Sequence, residues 1–426
     1  MNSGAQQNVT GEAGNFIIQN ARIFTVSGAV IESGYVAIGN GKITAVAPGA
    51  PVSVADAKVI DVKGANVYPG MIDAATNIGL VEVPLGAPGT DDETEIGDMN
   101  PNARAIIAVN PHSSYVNVTR NNGVTATLTM PQGGVISGQA ALINLIGSTP
   151  DEMAITPAFG LVVNFPRVST FAGFGGGFGR TEIDFGEAVK RRDKRLDDLR
   201  NMLRDALAYA KAQTAYRADP KLPRPAFNVK LASLVPYALG EKHLMFAVDR
   251  EIDIRNAVKF ADEMKLKAVI LGGNDAAKAA DVLKQKNISV ILTGVWSLPA
   301  RDDDYYDTLF ATAGKLQQAG VKYCVATGDN GANSRDLPYQ AGMTAAYGLS
   351  KEDALKSVTI YPAQILGVAD KLGSIETGKI ANLVVTDGDI LEPTTHVLHL
   401  FINGRKLPLT SRQTELYEQF KDRKMK

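Results

Sequence analysis

Short apolar and β-branched runs at both ends of the chain predict small β-rich segments. Near the start, runs such as Phe16–Ile18 alternate with tight turns. Asn40-Gly41 separates two of these runs and favours a type I′ hairpin, because both turn positions need a positive φ. Asn403-Gly404 follows an apolar run near the other end. We therefore expect residues 15–66 and 373–412 to pair into one composite β-sandwich.

The middle of the chain, residues 67–372, alternates continuous apolar runs with helical patterns. Continuous apolar runs are typical of strands that are buried on both faces. The predicted strands are Val67–Ala74, Val124–Met130, Ala141–Ile146, Ile155–Phe165, Leu244–Val248, Ala268–Gly272, Ser289–Leu292 and Tyr323–Thr327. Helical patterns cover residues 186–217, 251–264, 275–286 and 303–319. Eight strands with crossover helices over about 300 residues favour an α/β fold of the closed (β/α)8 TIM-like type. A doubly wound open sheet is the alternative.

Three further segments lie outside these patterns. The polar composition of residues 1–14 predicts a disordered lead-in. Residues 413–426 are predicted to form a C-terminal tail. Segment Thr170–Arg180 is rich in Phe and Gly, which predicts either a surface loop or a mobile lid. The start shows no signal peptide as written, yet a cleaved signal would leave a start of this kind. An exported or periplasmic location and a cytoplasmic one therefore both stay open.

Composition narrows the classes of function. The 44 Lys+Arg balance 45 Asp+Glu, so no global field attracts nucleic acid or an anionic membrane. No run of about 18 apolar residues is present, so we expect no membrane span. The single cysteine, Cys324, excludes a disulfide framework and is predicted to be buried and inert. Only four histidines are available to any mechanism, at positions 112, 243, 396 and 399.

One motif resembles a known family. Residues 67–73, Val-Tyr-Pro-Gly-Met-Ile-Asp, resemble the first barrel strand of the amidohydrolase superfamily. Residues 359–385 are similar to its closing segment, and Gly331–Leu355 also resembles it. The resemblance covers residues 15–410 and is nearest to the imidazolonepropionase-like amidohydrolases. It implies a β-sandwich plus a (β/α)8 barrel, and metal-assisted hydrolysis of amide-like C–N bonds at the barrel mouth.

The same resemblance identifies where metal ligands would stand. The family places His-x-His after strand 1, His after strands 5 and 6, and Asp after strand 8. Here Ala75 and Asn77 occupy the first pair, Ala247 the strand-5 position and Gly272 the strand-6 position. Only the strand-8 aspartate remains, as Asp329. Catalytic zinc needs about three protein ligands, so we predict no metal cofactor.

The four histidines offer no substitute. His112 precedes strand 2, and His243 begins strand 5 at the end of the barrel away from the chemistry. His396 and His399 lie in the terminal β-rich segment, where their spacing puts them on opposite faces of a strand. We expect all four to be structural.

Oxygen-bearing side chains allow a second interpretation of the barrel mouth, as a site for an oxygen-ligated metal ion. Asn77, Asp249, Asp329 and Asn330 would lie near one another there, and oxygen ligands suit Mg²⁺ or Ca²⁺. The structural interpretation is that Asp249 caps a helix while Asp73 and Asp329 bond to backbone.

A glycine-rich loop adds two more candidates. Residues 133–139 join predicted strands 2 and 3, and their glycines would let backbone approach a ligand. Ser137 and Gln139 would then supply polar contacts. A tight structural turn is the alternative.

Three functions follow from these patterns. One is a pseudoenzyme that keeps the scaffold for binding, possible ligands being small molecules. Another is an active hydrolase of amide-like or dipeptide bonds that uses Asp329 with an oxygen-ligated divalent metal or carboxylate acid–base chemistry. A third is a subunit of a homo-oligomer, or of a hetero-oligomer with a related amidohydrolase subunit that retains the ligands. We favour the first and third.

Overall fold

The computed structural model describes residues 10–51, 56–82, 92–172, 181–299, 301–302, 304–328 and 331–423. Asp329, Asn330 and residues 173–180 of the Phe/Gly-rich segment lie outside these ranges. The described residues form two large sheets, one built from both chain ends and one from the middle of the chain, and a small two-stranded sheet of Phe171–Ala172 and Thr181–Glu182. The predicted α/β class, a barrel plus a sheet from the chain ends, is confirmed.

The strands are short and the helices vary widely in length. In chain order the strands are β1 (Asn15–Ile23), β2 (Ile31–Gly39), β3 (Lys42–Pro48), β4 (Ala57–Asp61), β5 (Asn66–Pro69), β6 (Met71–Thr76), β7 (Val124–Thr129), β8 (Ile136–Asn144), β9 (Ala154–Asn164), β10 (Phe171–Ala172), β11 (Thr181–Glu182), β12 (His243–Val248), β13 (Lys267–Gly272), β14 (Ser289–Leu292), β15 (Tyr323–Val325), β16 (Leu383–Thr386), β17 (Val397–Ile402) and β18 (Arg405–Leu407). The helices are α1 (Ala105–Ala108), α2 (Ser114–Asn121), α3 (Pro150–Met153), α4 (Phe185–Ala218), α5 (Val229–Ala238), α6 (Glu251–Met264), α7 (Ala280–Gln285), α8 (Thr312–Ala319), α9 (Leu337–Ala346), α10 (Lys351–Ser357), α11 (Ile360–Ile365) and α12 (Arg412–Phe420). Two 3₁₀ segments cover Ala276–Ala279 and Gly331–Asp336.

The terminal sheet joins the two chain ends through β5. Its order is β18-β17-β16-β5-β1-β2-β3, with β4 beside β1. Asn40 and Gly41 both have positive φ, which confirms the predicted hairpin between β2 and β3. The rings of Phe16 and Phe401, from opposite ends of the chain, pack edge to face with centroids 5.3 Å apart. Burial of apolar side chains from both ends therefore holds this sheet together.

The middle sheet is a nearly closed barrel in the order β6-β7-β8-β9-β12-β13-β14-β15. Its first and last strands approach each other. Just after β15, the backbone N–H of Gly328 donates to the carbonyl of Ala75 in β6 at 3.1 Å. One strand departs from the expected all-parallel pattern: β8 runs antiparallel to both β7 and β9. Only residues 130–135 connect β7 to β8, which is too short for the crossover that a parallel pair requires.

The predicted helices are confirmed in part. Helices α4 and α6 match the predicted 186–217 and 251–264 closely. The predicted 275–286 helix is split into a 3₁₀ turn and α7. Of the predicted 303–319 helix, only α8 is helical; Asp304 lies in the turns before it and pairs with Arg301 at 3.2 Å. No helix among the described residues is long and apolar enough to cross a bilayer.

Candidate functional site

A cavity of about 690 Å³ opens where the parallel barrel strands end. Side chains from the ends of several strands and the loops that follow them line it, among them Thr76, Ser137, Asn164, Arg167, Asp249 and Asn274. This is the end of a parallel barrel at which such folds carry their active sites, because its loops vary independently of the scaffold. It is therefore the candidate site.

Asp249 supplies a carboxylate to this cavity, directly after β12. Its Oδ1 accepts a long 3.5 Å hydrogen bond from the backbone N–H of Asn274. Burial raises the pKa of Asp249, while that hydrogen bond and the positive charge of Arg167 act in the opposite direction. The expectation that Asp249 caps a helix is wrong. The N-cap residue of α6 is Arg250, whose side chain makes no capping hydrogen bond. The Asp249 carboxylate instead accepts its hydrogen bond from the loop after β13.

The Asp249 carboxylate fills the space beside Gly272. Gly272 has a φ of +98°, and a Cβ on it would lie 2.6 Å from Asp249 Oδ1 and 3.1 Å from the carbonyl oxygen of Val248. Heavy atoms do not approach this closely without something shifting. A side chain at position 272 would therefore require the Asp249 carboxylate to move.

Asn77 is used in structural hydrogen bonds. Its Oδ1 accepts the backbone N–H of Gly331 at 2.6 Å, and its Nδ2 donates to Glu93 Oε2 at 2.9 Å. The side chain is buried and is not part of the cavity lining. Asn77 thus ties the end of strand β6 to the segment that follows the last barrel strand.

Ala75 and Ala247 are the other two residues that the sequence resemblance places at histidine positions, and both carry only a methyl group. Ala75 is fully buried, and Ala247 packs against the same interior apolar cluster of the barrel. Ala75 packs in the core, whereas Ala247 is partly buried and also lines the mouth cavity; neither methyl group could bind a metal.

A polar network that the sequence did not reveal lies beneath the cavity. Asp73 is fully buried; its Oδ1 accepts the backbone N–H of Thr327 at 3.1 Å, and its Oδ2 accepts the Thr327 hydroxyl. Thr327 also approaches Ser334, whose hydroxyl lies 3.0 Å from that of Thr76. Burial raises the pKa of Asp73 to about 7, although these hydrogen bonds oppose the rise. The expectation that Asp73 bonds to backbone is confirmed, and the hydroxyl partners are new.

The two candidates after β7 lie on a strand. Ser137 and Gln139 belong to β8, so the expectation of a loop through residue 139 is wrong; the ladder with β9 begins at Ile136. Ser137 lines the cavity, and its Oγ accepts a hydrogen bond from Asn164 Nδ2 at 3.1 Å. Gln139 donates instead to the carbonyl of Pro101 at 2.8 Å, which engages its amide away from the cavity.

The donor groups of the described residues do not fit the metal centre that the family implies. Within the described ranges, no group of three or more His, Cys, Asp or Glu side chains could hold a metal ion. The charged groups that line the mouth are Asp249, Asp253 and Arg167, and a resident guanidinium opposes cation binding. Asp329 and Asn330 lie outside the described residues, so their part in the site stays a prediction.

The histidines and the cysteine lie away from the mouth. His112 is in a turn before α2, and His396 and His399 belong to the terminal sheet region. His243 is the first residue of β12, at the opposite end of the barrel, where it stacks on Phe159. Cys324 is fully buried, and burial raises the pKa of its thiol, so it is inert as predicted.

The fold is a nearly closed eight-stranded barrel with an added sheet from the chain ends, and the candidate site lies at the mouth of that barrel. A model of the Amidohydrolase family matches residues 242–407. Amidohydrolase tasK of Hapsidospora irregularis is 26% identical over 393 residues, which cover 87% of this chain and 39% of that protein. An imidazolonepropionase of Mesorhizobium japonicum is 31% identical over 144 residues, a third of each chain. This chain thus spans well under two thirds of the length of the curated relatives that it matches.

A solved structure agrees with the fold. An amidohydrolase from Thermotoga maritima superposes with a TM-score of 0.80 at 23% identity, covering 93% of this chain and all of that one. This chain is therefore similar in sequence to the Amidohydrolase family over residues 242–407 and has an amidohydrolase-like fold.

Proposed function

We propose that this chain is a pseudoenzyme of the amidohydrolase superfamily, kept for binding or assembly rather than hydrolysis. The proposal is carried by the sequence resemblance, which places Ala75, Asn77, Ala247 and Gly272 at the four positions where the family has histidine. Without those imidazoles, one strand-8 aspartate cannot supply the three protein ligands that a catalytic zinc requires.

The surroundings of these positions support the proposal further. Asp249 takes the space next to Gly272, and Asn77 is engaged at both ends of its amide. Histidine at position 272 would displace the Asp249 carboxylate, and histidine at position 77 would break the two hydrogen bonds of the Asn77 amide.

The test compares metal binding with hydrolysis on the full chain. Purified protein is incubated with Zn²⁺, Mn²⁺ or Mg²⁺, desalted and analysed for bound metal, then assayed on a panel of cyclic amides, N-acyl amino acids and dipeptides. We expect far less than one bound metal per chain and no turnover above the buffer rate. Turnover that requires a bound metal and disappears in Asp329→Asn would contradict the proposal.

One observation favours an active hydrolase as a second candidate. Asp249 lies in a cavity beside a cation, and burial raises its pKa, as is common for acid–base carboxylates. In this function Asp249 and Asp329 share proton transfer at an amide or dipeptide bond. Asp249→Asn and Asp329→Asn would then each abolish hydrolysis, whereas Asp205→Asn, at an exposed carboxylate on α4 away from the mouth, would be the control.

Assembly with a related subunit is the form of the pseudoenzyme that we favour. More than half of the Hapsidospora irregularis relative lies outside its match to this chain, so there the matching region is part of a much longer polypeptide. We expect this chain to co-purify either with itself or with a subunit that retains His-x-His. Native mass measurement of the protein from its own cell extract decides, and a strictly monomeric species would contradict assembly.

A further inference from the structure

A second cavity lies at the opposite end of the barrel from the candidate site. It has a volume of about 1020 Å³, larger than the mouth cavity, and it is formed where β12, β13, β14 and β15 begin. Its walls include the apolar side chains of Val258, Ala261, Leu266, Val269, Ile288 and Ile365. A concave, mostly apolar space of this size is typical of sites for small organic molecules.

The rim of this bottom cavity is positively charged. Lys267, Lys286 and Lys322 line it against a single acidic residue, Asp262. Lys286 is neutralised by Asp262 at 2.8 Å. Neither Lys267 nor Lys322 has a carboxylate within 4.0 Å among the residues that the structure describes. Two ammonium groups are therefore available to an anion.

Two tyrosines and a histidine add polar atoms to the mostly apolar lining of the bottom cavity. Tyr323 lines it and is 2% exposed, and its hydroxyl has no hydrogen-bond partner in the described part of the chain. Its ring packs edge to face against Tyr361, which also lines the cavity. Burial and the neighbouring Lys267 lower the pKa of His243 to about 4, so its imidazole is neutral near pH 7. The Tyr323 hydroxyl and the His243 imidazole can hydrogen-bond to a ligand without repelling an apolar body, whereas the Tyr361 hydroxyl already donates to Asp353 at 2.9 Å.

We propose that the bottom cavity binds an amphipathic organic anion. Its apolar body packs against the aliphatic walls and the two tyrosines, and its carboxylate or sulfonate pairs with Lys267 and Lys322. The site is separate from the mouth, so it goes beyond the proposed function. It gives the pseudoenzyme scaffold a ligand that needs no metal.

The experiment is a fluorescence titration of the full chain with 8-anilinonaphthalene-1-sulfonate, an aromatic monoanion. We expect saturable binding of one equivalent. The double variant Lys267→Gln/Lys322→Gln should raise Kd about tenfold, because it removes two screened charge contacts. The matched control Lys190→Gln/Lys211→Gln alters two exposed lysines on α4 and should leave Kd unchanged.

Two further arms separate this site from other surfaces. Ser289→Trp places an indole in the bottom cavity and should abolish binding while both lysines remain, whereas Arg167→Gln at the mouth should have no effect. 4-Phenylbutyrate should displace the probe much better than the uncharged 4-phenylbutanol. Equal affinity in the Lys267/Lys322 variant, equal displacement by acid and alcohol, or loss of binding in Arg167→Gln would each overturn the proposal.

Discussion

The carboxylate of Asp249 lies where a side chain on Gly272 would begin, with 2.6 Å between Oδ1 and a Cβ built on that glycine. The two residues end neighbouring barrel strands, β12 and β13, whose register pairs Val248 with Gly272. A histidine at position 272 and the present position of Asp249 therefore exclude each other. The chain has kept the carboxylate and the glycine, which is the physical core of the pseudoenzyme proposal.

Substituting Gly272 should be more damaging than its backbone angle alone explains. We expect Gly272→Ala to lower the free energy of unfolding by about 2–4 kcal/mol, since it adds a clash with Asp249 to the strain of a positive φ. Urea unfolding measures the change.

Gly378 offers a matched control for that experiment. Its φ is +94°, but nothing lies within 4 Å of its Cβ position, so Gly378→Ala reports the backbone strain alone. The double variant Asp249→Ala/Gly272→Ala lacks the clash, so it should recover the stability difference between Gly272→Ala and Gly378→Ala. Equal losses in Gly272→Ala and Gly378→Ala would show that Asp249 does not restrict position 272.

Removing the Asn77 amide should destabilise the link between the first barrel strand and the segment after the last. Asn77→Ala leaves the buried N–H of Gly331 without its acceptor, and we expect a loss of about 1–3 kcal/mol. Asn333→Ala is the control, because Asn333 is exposed and lines the cavity. A loss no larger than that of the control would mean that Asn77 is free to serve a ligand.

The buried Asp73 should make stability fall as pH rises. Its pKa is raised to about 7 in the folded protein, so between about pH 4 and 7 the folded state holds a proton that the unfolded state has released. Stability from this group is complete below pH 4 and is lost toward pH 7, at about 1 kcal/mol per pH unit.

Asp73→Asn isolates that contribution. The amide keeps an acceptor for the Thr327 N–H but does not titrate. We expect the variant to gain stability relative to the native chain as the pH increases from 4 to 7. Urea unfolding of both proteins at each pH measures this difference. A difference between the two proteins that is constant with pH would contradict a buried, protonated Asp73.

Arg167 should lower the pKa of the mouth carboxylate. Because its positive charge favours ionised Asp249, Arg167→Gln should raise the pKa of Asp249 above its already elevated value. Carboxyl ¹³C chemical shifts followed through a pH titration report this, with Lys190→Gln as a distant control. An unchanged or lowered pKa would place Arg167 too far from Asp249 to act on it.

Local sequence patterns were enough to predict the architecture but not every strand direction. The first predicted strand, Val67–Ala74, was wrong at its start, because Val67–Pro69 belong to β5 of the terminal sheet and the barrel strand begins at Met71. The apolar runs otherwise located the eight barrel strands. They carry no information on direction, so the antiparallel β8 was missed. The short connection over residues 130–135 was the sequence feature that could have indicated the antiparallel direction of β8.

The site was harder to predict than the fold, because its contacts join residues far apart in the chain. Motif positions identified Ala75, Asn77, Ala247 and Gly272, yet not what surrounds them. Asp73 and Thr327 are 254 residues apart in sequence, and only the closing of the barrel brings them together. Asp249 was expected to cap a helix because Asp is a common N-cap, but Arg250 took that position.

Metal analysis of the full chain tests the central claim most directly. The protein is purified without chelators, incubated with excess Zn²⁺, desalted and measured by inductively coupled plasma mass spectrometry, alongside Asp329→Ala. The pseudoenzyme proposal predicts far less than one zinc per chain and no difference between the two proteins. One zinc per native chain that is lost in Asp329→Ala would contradict it and would indicate a metal centre built around the strand-8 aspartate.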